Sequence, residues 1–302
     1  MIAGIDIGGT TSKIGLVQDG RVLRQTRIPT TGHADDKAFA DALAVAVNSL
    51  LKEQGGTIKA VGIGAPNANQ FTGIIEMAPN LPWKHDVPLA RMMRDRLGVQ
   101  SVLGNDANAA ALGEWRYGAG QGFDDLLVVT IGTGVGSGFI VNGQLVLGSA
   151  GNAGELGHMT IVVDGRACTC GRKGCLETYV SIRGMRQTYA ELADGLEVLK
   201  EEGVKCIADA AQRGDQAAIR TFEETVRWLA VGLANAVAIT GPRRVVLFGG
   251  IVRSGDLLLA PLKKRFHEAL LNIYQGRVDI TVSALPDDDA ALLGAAALGT
   301  LR

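Results

Sequence analysis

Ile2-Ala3-Gly4-Ile5-Asp6-Ile7-Gly8-Gly9-Thr10-Thr11-Ser12-Lys13-Ile14-Gly15-Leu16-Val17 reads as a strand, a glycine–threonine turn and a second strand. The turn Gly8-Gly9-Thr10-Thr11 can aim several backbone N–H groups and a hydroxyl at one point, a concavity suited to phosphate oxygens. The pattern returns at Ile131-Gly132-Thr133-Gly134-Val135-Gly136-Ser137-Gly138-Phe139-Ile140-Val141. One such hairpin says little, since any tight hairpin favours glycine. Two of them, each heading its own run of elements, predict a duplicated α/β fold that grips a polyphosphate from both sides.

The remaining pattern agrees with an α/β class. Arg21–Ile28 can add a third strand to the first hairpin, and Lys37–Gln54 has helical spacing of Ala and Leu. Strands are expected at Ala60–Gly64, Ser101–Leu103, Val245–Phe248 and Val278–Val282. Helices are expected at Leu89–Leu97, Asp106–Tyr117, Ile182–Leu192, Val204–Arg213, Gln216–Thr240 and Leu257–Leu271, with a closing helix from Ala290. The boundary candidate lies around Gly104–Glu114. That gives a small N-terminal lobe, 1–110, with the closing helix 290–302 packed back on it, and a large lobe, 111–289. Asp287-Asp288-Asp289 reads as a solvated N-terminus for the closing helix, favoured by its dipole.

Three of the four cysteines fall within Cys168-Thr169-Cys170-Gly171-Arg172-Lys173-Gly174-Cys175, and His158 precedes them. Three thiols and an imidazole complete a tetrahedral Cys₃His zinc set with no open position, the pattern of a structural site. Thiols one residue apart do not bridge easily, so a disulfide fits poorly. Glu155 and Glu177 flank the set, and a metal there would fix the directions of two acids and one imidazole. Cys206, in an apolar stretch, reads as an ordinary core thiol.

The composition excludes some partners. The chain has 302 residues, 47% of them hydrophobic, enough for two sizeable cores. A net charge of −1 argues against nucleic acid as the main partner. No apolar run approaches the roughly 20 residues that span a membrane. Met1 leads directly into the first strand, and the expected location is the cytoplasm. The 41 glycines cluster in short turns between β-branched runs. Neither Gly-x₄-Gly-Lys-Ser/Thr nor a Gly-x-Gly-x-x-Gly opening a helix follows a strand, so P-loop and dinucleotide sites are disfavoured.

Asp6-x-Gly8-Gly9-Thr10, Asn105-Asp106-Ala107-Asn108, Gly132-Thr133-Gly134-Val135-Gly136 and Glu155…His158…Cys-x-Cys-Gly-x-x-Gly-Cys-x-Glu177 occur in that order. In this the chain resembles the ROK family (repressor, open reading frame, kinase) of bacterial sugar kinases, within the actin-like ATPase superfamily. The zinc block is the most specific part of the resemblance. It implies a two-lobed actin-like (ribonuclease H-like) α/β fold with a duplicated mixed sheet and a ligand cleft between the lobes. It also implies ATP and a hexose as ligands, Mg²⁺ with the nucleotide, and structural Zn²⁺.

Residue by residue, Asp106 matches the family's catalytic base, and an ionised Asp at the sugar hydroxyl suits a reaction governed by positioning and charge. Asp6 matches the residue that holds Mg²⁺, through water. Gly8, Gly9, Thr10, Gly132, Thr133 and Gly134 match the phosphate turns, and Gly249-Gly250 the adenosine-side turn. The sugar contacts carry over to Asn80, Asn105, Asp106, Glu155, His158 and Glu177. Two positions depart from the pattern. Asn67 stands where many members have glycine, in a loop near the sugar. Thr11 stands where lysine is frequent, with Lys13 two residues on.

The resemblance implies ATP-dependent phosphorylation of a hexose at its 6-hydroxyl, glucose first. The alternatives are another hexose (fructose, mannose, allose), an N-acetylhexosamine such as N-acetylmannosamine, or a sugar-sensing regulator. Regulators of the family carry an N-terminal helix-turn-helix, and this chain starts on the phosphate-hairpin strand. A homo-oligomer, a dimer first, is the expected assembly.

Overall fold

Alternation along β1 (Ile2–Ile7) and β4 (Ala60–Ala65) decides how the first half of the fold is covered. The computed structural model describes residues 1–77, 81–193, 199, 203–286 and 289–301. β1 pairs antiparallel with β2 (Thr11–Gln18), which pairs antiparallel with β3 (Arg21–Pro29). On its other edge β1 runs parallel to β4, and β4 parallel to β7 (Gln100–Asn105). The sheet order is β3-β2-β1-β4-β7.

Successive side chains of a strand point to opposite faces. Ala3, Ile5, Ile7, Val61, Ile63 and Leu103 meet Phe39, Leu43 and Val47 of α1 (Asp36–Gln54) and Met93 of α2 (Leu89–Leu97) in one buried cluster. The opposite face carries Gly4 and Gly62, which are paired in register. A Cβ on Gly4 would lie 2.5 Å from the Leu292 carbonyl oxygen, and one on Gly62 would strike that of Ala295. The two glycines therefore form a groove that admits the backbone of α9 (Ala290–Leu298), whose nine residues are all buried except Ala291. Burying a leucine such as Leu292 contributes about 1.5–3 kcal/mol.

The first compact unit comprises Met1–Asp124, Gly138–Gly154 and Ser283–Arg302. It reaches Asp124, taking in the whole of α3 (Asp106–Tyr117), which packs on α9. A short hairpin, β5 (Ala68–Asn69) with β6 (Ile74–Ile75), completes it.

The second unit comprises Asp125–Ser137 and Glu155–Val282. β8 (Leu126–Ile131), β11 (Arg244–Phe248) and β12 (Asp279–Val282) run parallel. With β9 (Val135–Val141) and β10 (Gln144–Leu145) the sheet order is β10-β9-β8-β11-β12, the same arrangement as β3-β2-β1-β4-β7. The duplication expected from the two hairpins is thus a duplication of whole sheets.

Helices α4 (Glu177–Val180), α5 (Ile182–Leu192), α6 (Lys205–Gln212), α7 (Gln216–Thr240) and α8 (Leu259–Ala269) belong to this unit. α7 buries Phe222, Val226, Leu229, Leu233 and Val237, one stripe at helical spacing. Asp215 caps its start, accepting from the Ala218 N–H at 2.8 Å, and left-handed Gly241 ends it. The helix expected over Leu257–Leu271 is shorter, Leu259–Ala269, and is preceded by a 3₁₀ stretch, Gly250–Leu257, that is kinked at Gly255 with φ +60°. Cys206 is half-buried at the start of α6 and so does not fill the core.

Candidate functional site

Two groups of the expected residues form, one in each unit. In the first, Asp6 lies one residue from the end of β1, beside Lys13 of β2 and Gly64 of β4. Asn105 ends β7 and caps α3, its Oδ1 accepting from Ala107 at 2.9 Å and Asn108 at 3.3 Å. The cap is therefore Asn105, and Asp106 is the first helical residue. With its oxygen committed to the cap, the Asn105 amide nitrogen is the atom suited to a ligand. A Cβ on Gly64 would lie 3.8 Å from the Asp106 Cα and 3.9 Å from the Asp6 Oδ1. Gly64 thus stands between the two acids.

Crowding changes their chemistry. Burial first, then the Asp106 charge, push Asp6 up to about 6, against the opposing pull of Lys13. Asp106 keeps an exposed face, yet enough protein surrounds its carboxyl that the charged form is disfavoured and its pKa rises. The Ala107 N–H, donating to Asp106 Oδ1 at 2.9 Å, pulls the other way. A carboxylate made more basic and held at a helix start is a competent proton acceptor.

The Gly8–Thr11 turn is tied by a residue that sequence reading passed over. Gly8 donates to the Thr11 carbonyl at 3.1 Å, and Thr30 donates its N–H to the Thr10 carbonyl at 2.9 Å. Thr30, fully buried, gives its hydroxyl to the Gly8 carbonyl at 2.8 Å and lies 2.8 Å from the Ser12 hydroxyl. Nothing in a lone Thr after a strand signals this.

Asn67 has φ +51°, which explains why an asparagine can replace glycine there. Its amide donates to the Glu76 carbonyl at 3.2 Å, and Glu76 donates back to the Asn67 carbonyl at 2.9 Å. The side chain expected to face sugar thus spends one amide donor on closing its own hairpin. Asn80, also expected there, lies outside the described residues, as do Asp287 and Asp288.

In the second unit, Gly132-Thr133-Gly134 joins β8 to β9, with Gly132 donating to the Gly134 carbonyl at 3.0 Å. Gly249, at φ +120°, packs its Cα on the Ile131 end of β8, so Gly249-Gly250 and Gly132–Gly134 share the C-terminal edge of the parallel strands. Ligands of open α/β sheets bind at that edge. A Cβ on Gly134 would stand 3.0 Å from Glu177 Oε2, placing this acid against the same turn. Leu156 donates to the Ser137 hydroxyl at 3.1 Å, which anchors the 3₁₀ turn Leu156–His158 next to Glu155.

His158, Cys168, Cys170 and Cys175 converge, their ligand atoms all within 4.8 Å of one another. His158 Nδ1 is 3.6 Å from Cys168 Sγ, and Cys170 Sγ is 3.7 Å from Cys175 Sγ. Tetrahedral bonds of about 2.3 Å space their corners by about 3.8 Å, so the donor set fits zinc. Glu177 Oε1 lies 3.1 Å from Cys168 Sγ and 3.8 Å from His158 Nδ1. Burial, and then the Glu177 carboxylate, push Cys168 up to about 12, although the Cys170 backbone N–H opposes this. Burial also acts on Cys170, but the Arg172 N–H, the neighbouring thiols and the Arg172 charge outweigh it and bring that thiol down. No described helix is long and apolar enough to cross a membrane.

The ROK family model matches residues 2–300. The glucokinase of Thermotoga maritima is 34% identical to the chain, over 98% of this chain and 96% of its own. The N-acetyl-D-glucosamine kinase of Histophilus somni is 30% identical over 99% and 98%. Among solved structures, a ROK family glucokinase from Streptomyces griseus in complex with glucose and AMPPNP superposes with a TM-score of 0.81. It is 35% identical, with 99% of this chain and 98% of that one covered.

Proposed function

The chain belongs to the ROK family, and we propose that it transfers the γ-phosphoryl group of ATP to the 6-hydroxyl of a hexose, glucose first. The observation that carries this reading is Asp106 at the head of α3, made more basic by its surroundings and set beside Asp6. Asp106 takes the proton of the attacking hydroxyl. Phosphoryl transfer leaves the protein little else to do than position the reactants and stabilise charge. Asp6 would hold hydrated Mg²⁺, which offsets the phosphate charge. The two glycine turns and Gly249-Gly250 supply backbone N–H groups to the nucleotide.

Glu155, His158, Glu177 and the Asn105 amide form hydrogen bonds to sugar hydroxyls. His158, Cys168, Cys170 and Cys175 would hold Zn²⁺, which supplies rigidity and no open position for water. The Nδ1 atom of His158 faces the thiols, which leaves Nε2 for a hydroxyl. Similarity to an N-acetyl-D-glucosamine kinase supports a second substrate class, with the same chemistry at a different 2-substituent.

The test is purified protein with ATP and Mg²⁺ against a panel of hexoses and N-acetylhexosamines, read by ADP release. Glucose should give the highest kcat/KM. Transfer to none of the sugars would overturn the reading, and preference for an N-acetylhexosamine would select the second.

A further inference from the structure

Arg166 stands at the stem of the cysteine loop, two residues before Cys168, and its side chain is only 14% exposed. Its guanidinium donates to the carbonyl of Thr178 at 2.9 Å and of Gly184 at 3.2 Å, and pairs with Glu191. The group lies 4.7 Å over the Tyr179 ring, and the Arg166 N–H donates to the Tyr179 hydroxyl at 3.0 Å. On its other side the Arg166 carbonyl accepts from Gly174 at 2.8 Å, directly before Cys175. One residue therefore joins both arms of the loop to the start of α4 and α5. The Thr178 carbonyl it holds belongs to the residue directly after Glu177.

We propose that Arg166 is a positioning residue, a brace that sets the cysteine loop and Glu177 in register without a metal. The physical argument is directional. A buried guanidinium has five donors in a rigid plane, and here that plane sends bonds to two carbonyls and a carboxylate while its face rests on a ring. Releasing it would take a donor from the Thr178 carbonyl in α4, whereas the Gly184 carbonyl in α5 keeps the Thr188 hydroxyl at 3.0 Å. The loop is thus preorganised for Zn²⁺, and outer groups of this kind commonly change metal retention by 10–100-fold. Only the consequence for sugar affinity rests on the kinase reading.

The experiment compares wild type with Arg166→Met and Arg166→Lys, each full-length, by amide hydrogen exchange after chelation and by transfer of Zn²⁺ to a chromophoric chelator. In stripped wild type the amides of Cys168 and Gly174 should stay protected. In both stripped variants they should exchange at least about tenfold faster, with Val128 and Val246 in the strands unchanged, because lysine cannot reproduce the planar fork. Zinc should leave the loaded variants about tenfold faster, and KM for sugar should rise with kcat and the KM for ATP held.

Equal exchange in stripped wild type and variants overturns the brace. Should Arg166→Met lose protection throughout, Tyr179→Phe removes only the hydroxyl partner. It should still speed exchange at Cys168, and no change there overturns the proposal. A wild type that phosphorylates no sugar sinks the kinase reading and leaves the exchange result standing.

Discussion

Cys168 Sγ lies 3.1 Å from Glu177 Oε1, so the thiol loop and the acid at the start of α4 form one assembly. Any change that moves the sulfur moves the carboxylate. Glu177 in turn lies against Gly134, which connects that assembly to the turn after β8.

Asp106→Asn keeps the shape of the side chain and removes its basicity. Turnover should fall roughly 10²–10⁴-fold, the usual worth of a positioned base, while glucose binding by calorimetry stays within about threefold. Near-normal kcat in this variant would take Asp106 out of the mechanism.

Cys170→Ala removes the one exposed thiol of the cluster and leaves the apolar packing of Cys168 and Cys175 in place. Zinc content by elemental analysis should drop below stoichiometric, and KM for glucose should rise about 10-fold or more with little change for ATP. Unchanged sugar affinity in verified zinc-free protein contradicts a clamp that orients Glu155, His158 and Glu177.

The two acids beside Gly64 predict where activity is lost in acid. Both pKa values are raised, so each carboxylate takes up its proton at a higher pH than an ordinary Asp. As pH falls, kcat/KM for sugar should decline from about 6, the value for Asp6, well above the region near 4 usual for Asp. A flat profile down to pH about 4.5 would show that neither acid needs its charge.

Thr30→Val deletes a hydroxyl that bonds Gly8 and Ser12 at once. The buried Ser12 hydroxyl and the half-buried Gly8 carbonyl then lose a partner, which should cost about 1–3 kcal/mol by denaturant unfolding. If the turn is a phosphate site, KM for ATP should rise more than KM for sugar. The reverse order would place the Gly8–Thr11 turn away from the nucleotide.

Several features were legible because they are local. The hairpin repeat needed only composition and period, and the donor set of the metal site lies almost entirely within Cys168–Cys175. The long helices announced themselves by apolar spacing. Others depended on partners far along the chain. Gly4 and Gly62 look like strand glycines until α9 arrives against them from Leu292 and Ala295. The packing of α3 on α9, in a first unit that reaches Asp124, is of the same kind. Thr30 and Arg166 carried no signal, since the bonds that give them roles reach Gly8, Thr178 and Gly184. Asn67 was legible as a departure, but only its φ of +51° shows that the reason is backbone geometry.

The sequence alone determined the α/β class, the doubled hairpin and a Cys₃His donor set, because spacing within a few residues dictates each of them, while Asp106 as the candidate base came from the family resemblance. Tertiary structure decided that Asn105 and not Asp106 caps α3, that burial raises the proton affinity of both acids with the Asp106 charge adding to that of Asp6, and that Glu177 leans on Cys168. Those outcomes depend on through-space distance, and electrostatic and packing energies follow distance and not position in the chain.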